Sequence, residues 1–288
     1  MSMLHTGGGA TAHRLLLGSR LRRLREASGV SREDAGYSIR ASESKISRME
    51  LGRVGFKERD VADLLTLYGL PEGEERAALL ALVGEANATA WWHGQEDVVP
   101  PWFQTYLGLE QAASTIACYE VQYVPGLLQT EAYARAVVLL GRHTASPEEV
   151  DRRVAVRMRR RQLLSASRAP RLEAVIDEAV LRRSCGGPEV MRGQLEHLIA
   201  QAALPGVVVR VVPLGSERPG ADAGAFTVLG FPGAELPDVV YLEQFTTALY
   251  LDRPVEVSEY AAALERLRAA ALSPERSLDL LRAVLRDN

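Results

Sequence analysis

Two cysteines in 288 residues, Cys118 and Cys185, leave no material for a disulfide framework. They have no CxxC spacing and read as reduced thiols of a cytoplasmic protein. Lysine is as scarce, at Lys45 and Lys57 alone; the other 32 of the 34 basic residues are arginine, a bias that GC-rich codons produce. No apolar run approaches the roughly 18 residues of a membrane-spanning helix, so no membrane association is expected. The first residues, MSMLHTGGGATAH, lack a charged segment followed by an apolar core, which argues against a secretory signal, and the glycines at 7–9 suggest a frayed tail. His5, His13, His93, His143 and His197 are scattered, with no i,i+4 pair and no HExxH, so neither a metal site nor a resident cofactor is expected. The phosphate-cradling GxxxxGK[ST], the nucleophile elbow GxSxG and a GxGxxG following a strand are missing too.

What is present is a well-stocked core, 47% hydrophobic, and an uneven charge distribution. The chain is long enough for a small domain and a larger one. From Arg14 to Arg59 there are twelve Arg and Lys against six Asp and Glu, a local net of +6 inside a chain whose formal net is −3. A basic segment on an acidic body is the footprint of a nucleic-acid-binding module joined to a separate domain.

The basic segment is helical by pattern. Leu17, Leu21 and Leu24 are spaced four and three apart among arginines, and Gly29 closes that run. Ser31 is placed to cap a second helix whose first turn holds Glu33 and Asp34, where the helix dipole favours them. After the short break SIRA, Ser42 caps a third, which Gly52 ends. KERDVADLLTLYGLP and PEGEERAALLALVGEANA supply two more. A five-helix all-α domain is therefore expected over 14–88. A connector over 89–101 follows, with Trp91, Trp92 and then Trp102 around paired prolines; the bulk of indole favours burial between domains over an exposed aromatic surface. Beyond it the pattern changes. ASTIACYEV, RLEAVID, GVVVRVV, GAFTVLG and DVVYLEQ read as strands, separated by long helical runs, so an α/β or α+β domain is expected over 102–288.

Two short helices joined by a tight turn, the second polar on its outer side, form the helix-turn-helix pattern. In SESKISRMELGR, Ile46 and Met49 fall about 60° apart on a helical wheel and define the buried stripe, while Ser44, Ser47 and Arg48 lie largely opposite. Short side chains let such a helix approach DNA, and an arginine can pair bidentately with guanine O6 and N7. Gly36 in the preceding helix permits a close crossing.

Residues 17–70 resemble the helix-turn-helix domain of the XRE (lambda-repressor-like) family. The resemblance rests on the basic first helix, the Gly29-Val30 before the second, the small residue within it, Ile46 in mid-helix, and Glu50 followed by Gly52. It implies that Glu43, Ser44 and Arg48 read base edges, that Arg32 touches phosphate and sometimes a base, that Arg40, Lys45 and Arg53 contact the backbone, and that Arg25 pairs with Glu50 as a structural tie. Arg40 stands where glycine is frequent in the turn, Ala35 where a larger aliphatic is common, and Glu43 where glutamine is frequent. WFQTYLGLEQAAS, YEVQYVPGLLQTEAYARAV, RRVAVRMRRRQLL, DEAVLRR, GGPEVM and LPDVVYLEQFTTALYLD extend the likeness to nearly the whole chain. They resemble a family of actinobacterial regulators, Scr-type and antitoxin-like, with a C-terminal domain of unknown function. That resemblance implies a small partner protein encoded by a neighbouring gene, and carries over no site residues.

Three readings follow for the whole. The first is a sequence-specific transcriptional regulator, not an enzyme, binding double-stranded DNA at a pseudo-palindromic operator as a homodimer. The second adds an acidic C-terminal domain that captures a small protein. The third places ligand sensing or catalysis in that domain. Glu120, Glu131, Asp177, Glu178 and Glu243 are its candidate carboxylates, although such residues more often cap helices or pair with cations. Tyr119, Tyr123, Phe226 and Tyr241 are candidates for a cavity wall. The arginine-rich RRVAVRMRRRQLL is either a second phosphate-binding stripe or a solvated or acid-paired helix.

Overall fold

The computed structural model describes residues 12–52, 54–87, 91–95, 97–166, 169–216, 222, 224–232 and 237–287. The glycines at 7–9, expected to fray, lie outside them.

Five helices come first: α1 (Ala12–Ala27), α2 (Arg32–Ser38), α3 (Glu43–Glu50), α4 (Glu58–Leu67) and α5 (Glu74–Asn87). Their starts follow the chemistry of the caps. The Ser31 hydroxyl accepts from Asp34 N–H and that of Ser42 from Lys45 N–H, each satisfying an amide that the helix itself leaves unpaired. Leu17, Leu21, Ala35, Ile39, Ile46, Met49, Val61, Leu64 and Leu65 close into one core, with Leu79 and Val83 of α5 across it. Gly18 of α1 lies against the end of α3: a β-carbon there would stand 2.4 Å from the Met49 carbonyl oxygen. Gly36 performs the same service in α2, where a β-carbon would come within 2.8 Å of the Ala41 oxygen. The turn backbone, more than the following helix, is what approaches it.

An α/β domain follows, built on a mixed six-stranded sheet of order β3-β2-β1-β4-β5-β6. After α6 (Pro101–Ala112) come β1 (Thr115–Glu120), α7 (Glu131–Gly141), α8 (Pro147–Arg161), β2 (Arg171–Asp177), α9 (Glu178–Arg182), α10 (Pro188–Gln201) and β3 (Val207–Val212). Parallel neighbours need crossover connections, which α7–α8 and α9–α10 supply for β1, β2 and β3. The chain then crosses to the other side of β1 and continues antiparallel as β4 (Phe226–Gly230), β5 (Val239–Glu243) and β6 (Ala248–Leu251). Two helices end it, α11 (Pro254–Ala270) and α12 (Pro274–Asp287).

Alternation of side chains along the strands divides the interior. Ile116 and Cys118 of β1, Leu172, Ala174 and Ile176 of β2 and Tyr241 of β5 face a large core with α7, α10 and α12. Tyr119, Val175, Phe226, Val240 and Leu242 face α11. The outer edge of β3 is covered: Val211 N–H donates to the Ser277 hydroxyl at 3.0 Å and its carbonyl accepts from Leu272 N–H at 2.9 Å. β6 forms the opposite edge.

The tryptophans settle on the second domain. Trp92 is buried with Val98, Val99, Leu107 and Val156, Arg159 lies over the Trp91 ring, and Trp102 packs on the large core, as does Leu15 from α1. Cys118 and Cys185 are buried free thiols.

Candidate nucleic-acid interface

α3 is held by its inner stripe and by charge. Ile46 and Met49 are each 1% exposed, and Glu43, Ser44 and Arg48 stand outside with Ser47 half-exposed. Among the described residues Arg48 donates, through Nε, to the Ser44 carbonyl one turn back at 3.3 Å, which leaves most of its guanidinium for a ligand.

The inner end of α3 carries a buried three-residue ion cluster. Glu50 accepts from Arg25 Nε at 2.5 Å through one oxygen and from Arg32 Nε at 3.0 Å through the other. Arg25 also donates to the Val30 carbonyl. One carboxylate thereby ties α1, the start of α2 and the end of α3 together. Arg32, assigned to phosphate by family resemblance, spends its Nε inside the protein and keeps its outer nitrogens for other partners. Lys45 is likewise engaged: its Nζ lies 2.7 Å from Asp60 Oδ2, and Asp60 is almost wholly buried in α4. This pair fixes α3 against α4. Arg53 lies outside the described residues.

Arg40 occupies the turn between α2 and α3 with φ +54°, the one non-glycine residue of positive φ in the described chain. A left-handed conformation costs an L-residue roughly 1–2 kcal/mol. The side chain is exposed, and among the described residues it has no hydrogen-bond or ion-pair partner to offset this. Strain of this kind, kept where glycine would relieve it, makes Arg40 a candidate functional residue. Arg40→Gly is expected to leave the fold as stable or up to about 1 kcal/mol more stable, while lowering DNA affinity and reducing its salt dependence by about one phosphate contact. Chemical denaturation and binding titrations at several salt concentrations check the two signs.

Lys57 and Arg59, which sequence reasoning passed over, flank the start of α4 beside the Lys45–Asp60 pair. Both are exposed, and neither makes an ion pair among the described residues. The N-cap of α4 has no side-chain hydrogen bond, and a free helix N-terminus next to cations favours phosphate. Both lie beyond the end of α3, on the next helix and its cap, which hides this in the sequence.

Elsewhere the charges are largely consumed. In α8, Arg152 pairs with Asp97, Arg153 with Glu149 and Arg160 with Glu110. Three of the six arginines of this run are thus paired with acids, and Arg159 lies over Trp91. Asp177 caps α9, accepting from Ala179 N–H, and Glu178 accepts from Arg182 and from Leu214 N–H. Among the described residues no group of His, Cys, Asp and Glu could hold a metal ion, and no helix is long and apolar enough to cross a membrane.

Comparison with known proteins matches both parts of the chain. A helix-turn-helix domain family matches residues 16–79, and a domain of unknown function (DUF5753) matches residues 103–283. No curated protein and no solved structure matches.

Proposed function

Given that the chain belongs to the family defined by the DUF5753 domain, here placed behind a helix-turn-helix DNA-binding domain, we propose that it is a cytoplasmic, sequence-specific transcriptional regulator of XRE type. It binds a pseudo-palindromic operator as a homodimer, and its C-terminal domain serves dimerisation and the capture of a small antitoxin-system partner rather than catalysis. The observation that carries the DNA reading is α3 itself. Its outer face holds Ser44, Ser47 and a nearly free Arg48, while Ile46, Met49 and the Arg25–Glu50–Arg32 cluster fix its depth and pitch. Dimerisation is supported by the edge strand β6, which carries the exposed Leu249 and is preceded by Phe245 at 94% exposure. An unpaired edge can meet its own copy across a two-fold axis.

Arg48→Ala is expected to weaken binding to the operator by about 1–3 kcal/mol and to leave affinity for random DNA nearly unchanged. Parallel titration of both duplexes checks this. An equal loss on the two would make Arg48 a phosphate contact and move base reading elsewhere.

A further inference from the structure

The carboxyl end of β1 holds a group of charges that the DNA reading does not use. Glu120 of β1 shares the sheet face of Cys118, and Glu243 of β5 that of Tyr241; these are the same face. The registers Tyr119 to Phe226 and Thr227 to Tyr241, continued by one and two residues, place Ala225 opposite both glutamates. The two carboxylates therefore rise from backbones two strands apart, about 10 Å, with the exposed methyl of Ala225 between them. This is also where the connections leaving β1 and β3 run to opposite sides, the place where open sheets with parallel strands hold ligands.

α6 and α8 form the roof. Arg160 is clasped by both oxygens of Glu110, at 2.9 and 2.8 Å, and lies over the rings of Phe103 and Tyr106. Tyr106 leans on Tyr241 with centroids 4.1 Å apart, and the Tyr241 hydroxyl donates to Glu243 Oε2 at 2.9 Å. Arg157, nearly one turn before Arg160, is within electrostatic reach of Glu243 and Tyr241. Among the described residues neither Glu120 nor Arg157 has a hydrogen-bond or ion-pair partner, and both are only part-exposed. Burial, with Glu243 adding to it, pushes the Glu120 carboxyl up to about 8; burial, with Arg160 adding to it, brings Arg157 down to about 10. Arg160 acts on Glu120 and Glu243 on Arg157 only at a distance, so each group is partly desolvated with no close counter-charge, which a bound ligand would supply.

We propose that this crevice binds a small zwitterion, its amine received between Glu120 and Glu243 and its carboxylate by Arg157. A bare cation would meet Arg157 and Arg160, and a bare anion would meet the two glutamates. Only a molecule carrying both signs satisfies both ends, and Tyr241 supplies an aromatic floor for its carbon chain.

The test is a thermal-shift screen of the full chain, confirmed by calorimetric titration. Its probes are the proteinogenic amino acids and 4-aminobutyrate as zwitterions, cadaverine and spermidine as cations, and succinate and glutarate as anions. At least one zwitterion is expected to raise the melting temperature with dose while the single-sign probes do not. Glu120→Gln, Glu243→Gln and Arg157→Gln should each weaken that probe tenfold or more. Without any probe, Glu120→Gln, which keeps the shape of the side chain, should melt higher than the parent, because it removes an uncompensated carboxyl. The proposal is overturned if no zwitterion shifts the melting curve, if the shift survives in the glutamine variants, or if unliganded Glu120→Gln melts lower.

Discussion

Glu50→Ala is expected to destabilise the N-terminal domain by about 3–5 kcal/mol, the range for removing one partner of a buried ion pair. Glu50 and Arg25 are 5% and 7% exposed, so the variant leaves the buried Arg25 guanidinium with the Val30 carbonyl and a long contact to the exposed Glu26. It also frees Arg32, the first residue of α2, from the end of α3. Small domains are stable by only about 5–15 kcal/mol, so α3 loses its fixed pitch well before the second domain is affected. Replacing Arg25 by methionine in the same background should recover much of the loss, since exchanging a whole buried pair for apolar side chains is often neutral. Denaturant unfolding of the single and double variants checks both statements. A double variant no better than Glu50→Ala would show that the carboxylate acts through Arg32 alone.

The second large effect is expected in the other domain. Glu110→Ala removes both acceptors of Arg160, whose guanidinium is buried between two aromatic rings and packed against Gly126. A cost of about 3–5 kcal/mol is expected here too. It should appear in the melting of the α/β domain and leave the helical domain intact. Near-ultraviolet circular dichroism of the stacked Phe103, Tyr106 and Tyr241 reports the change locally. A spectrum and stability equal to the parent's would remove the pair from the account of that domain's stability.

The elements legible in the sequence are those with chemistry at their ends or a long unbroken pattern. Ser31 and Ser42 announce α2 and α3, Gly29 and Gly69 stop helices at positive φ, and the apolar runs of β1 to β5 are each bounded by turns. α6 was passed over because WFQTYLGLEQA is apolar nearly all round, which erases the helical period; it is buried on both flanks by the connector and the core. β6 is four residues and α9 five, too short to show a period of either kind. The outward set on α3 followed from a helical wheel because it depends on local geometry alone. The use of Arg32 by Glu50 and of Lys45 by Asp60 did not, since those partners lie 18 and 15 residues apart and meet only when the helices pack. One signal was present in retrospect. Asp60 stands on the apolar side of α4 beside Val61 and Leu64, and a buried carboxylate there demands a cation.

The central claim is that α3 reads DNA sequence. Selection of bound duplexes from a random pool by the full chain, followed by sequencing, tests it most directly. The expected result is enrichment of one motif with two inverted half-sites whose centres lie about one helical turn apart, or a multiple of it, and loss of that enrichment when Ser44 and Arg48 are both replaced by alanine. A pool that stays unenriched while binding falls with salt would contradict the claim, leaving a protein that holds the phosphate backbone without reading the bases.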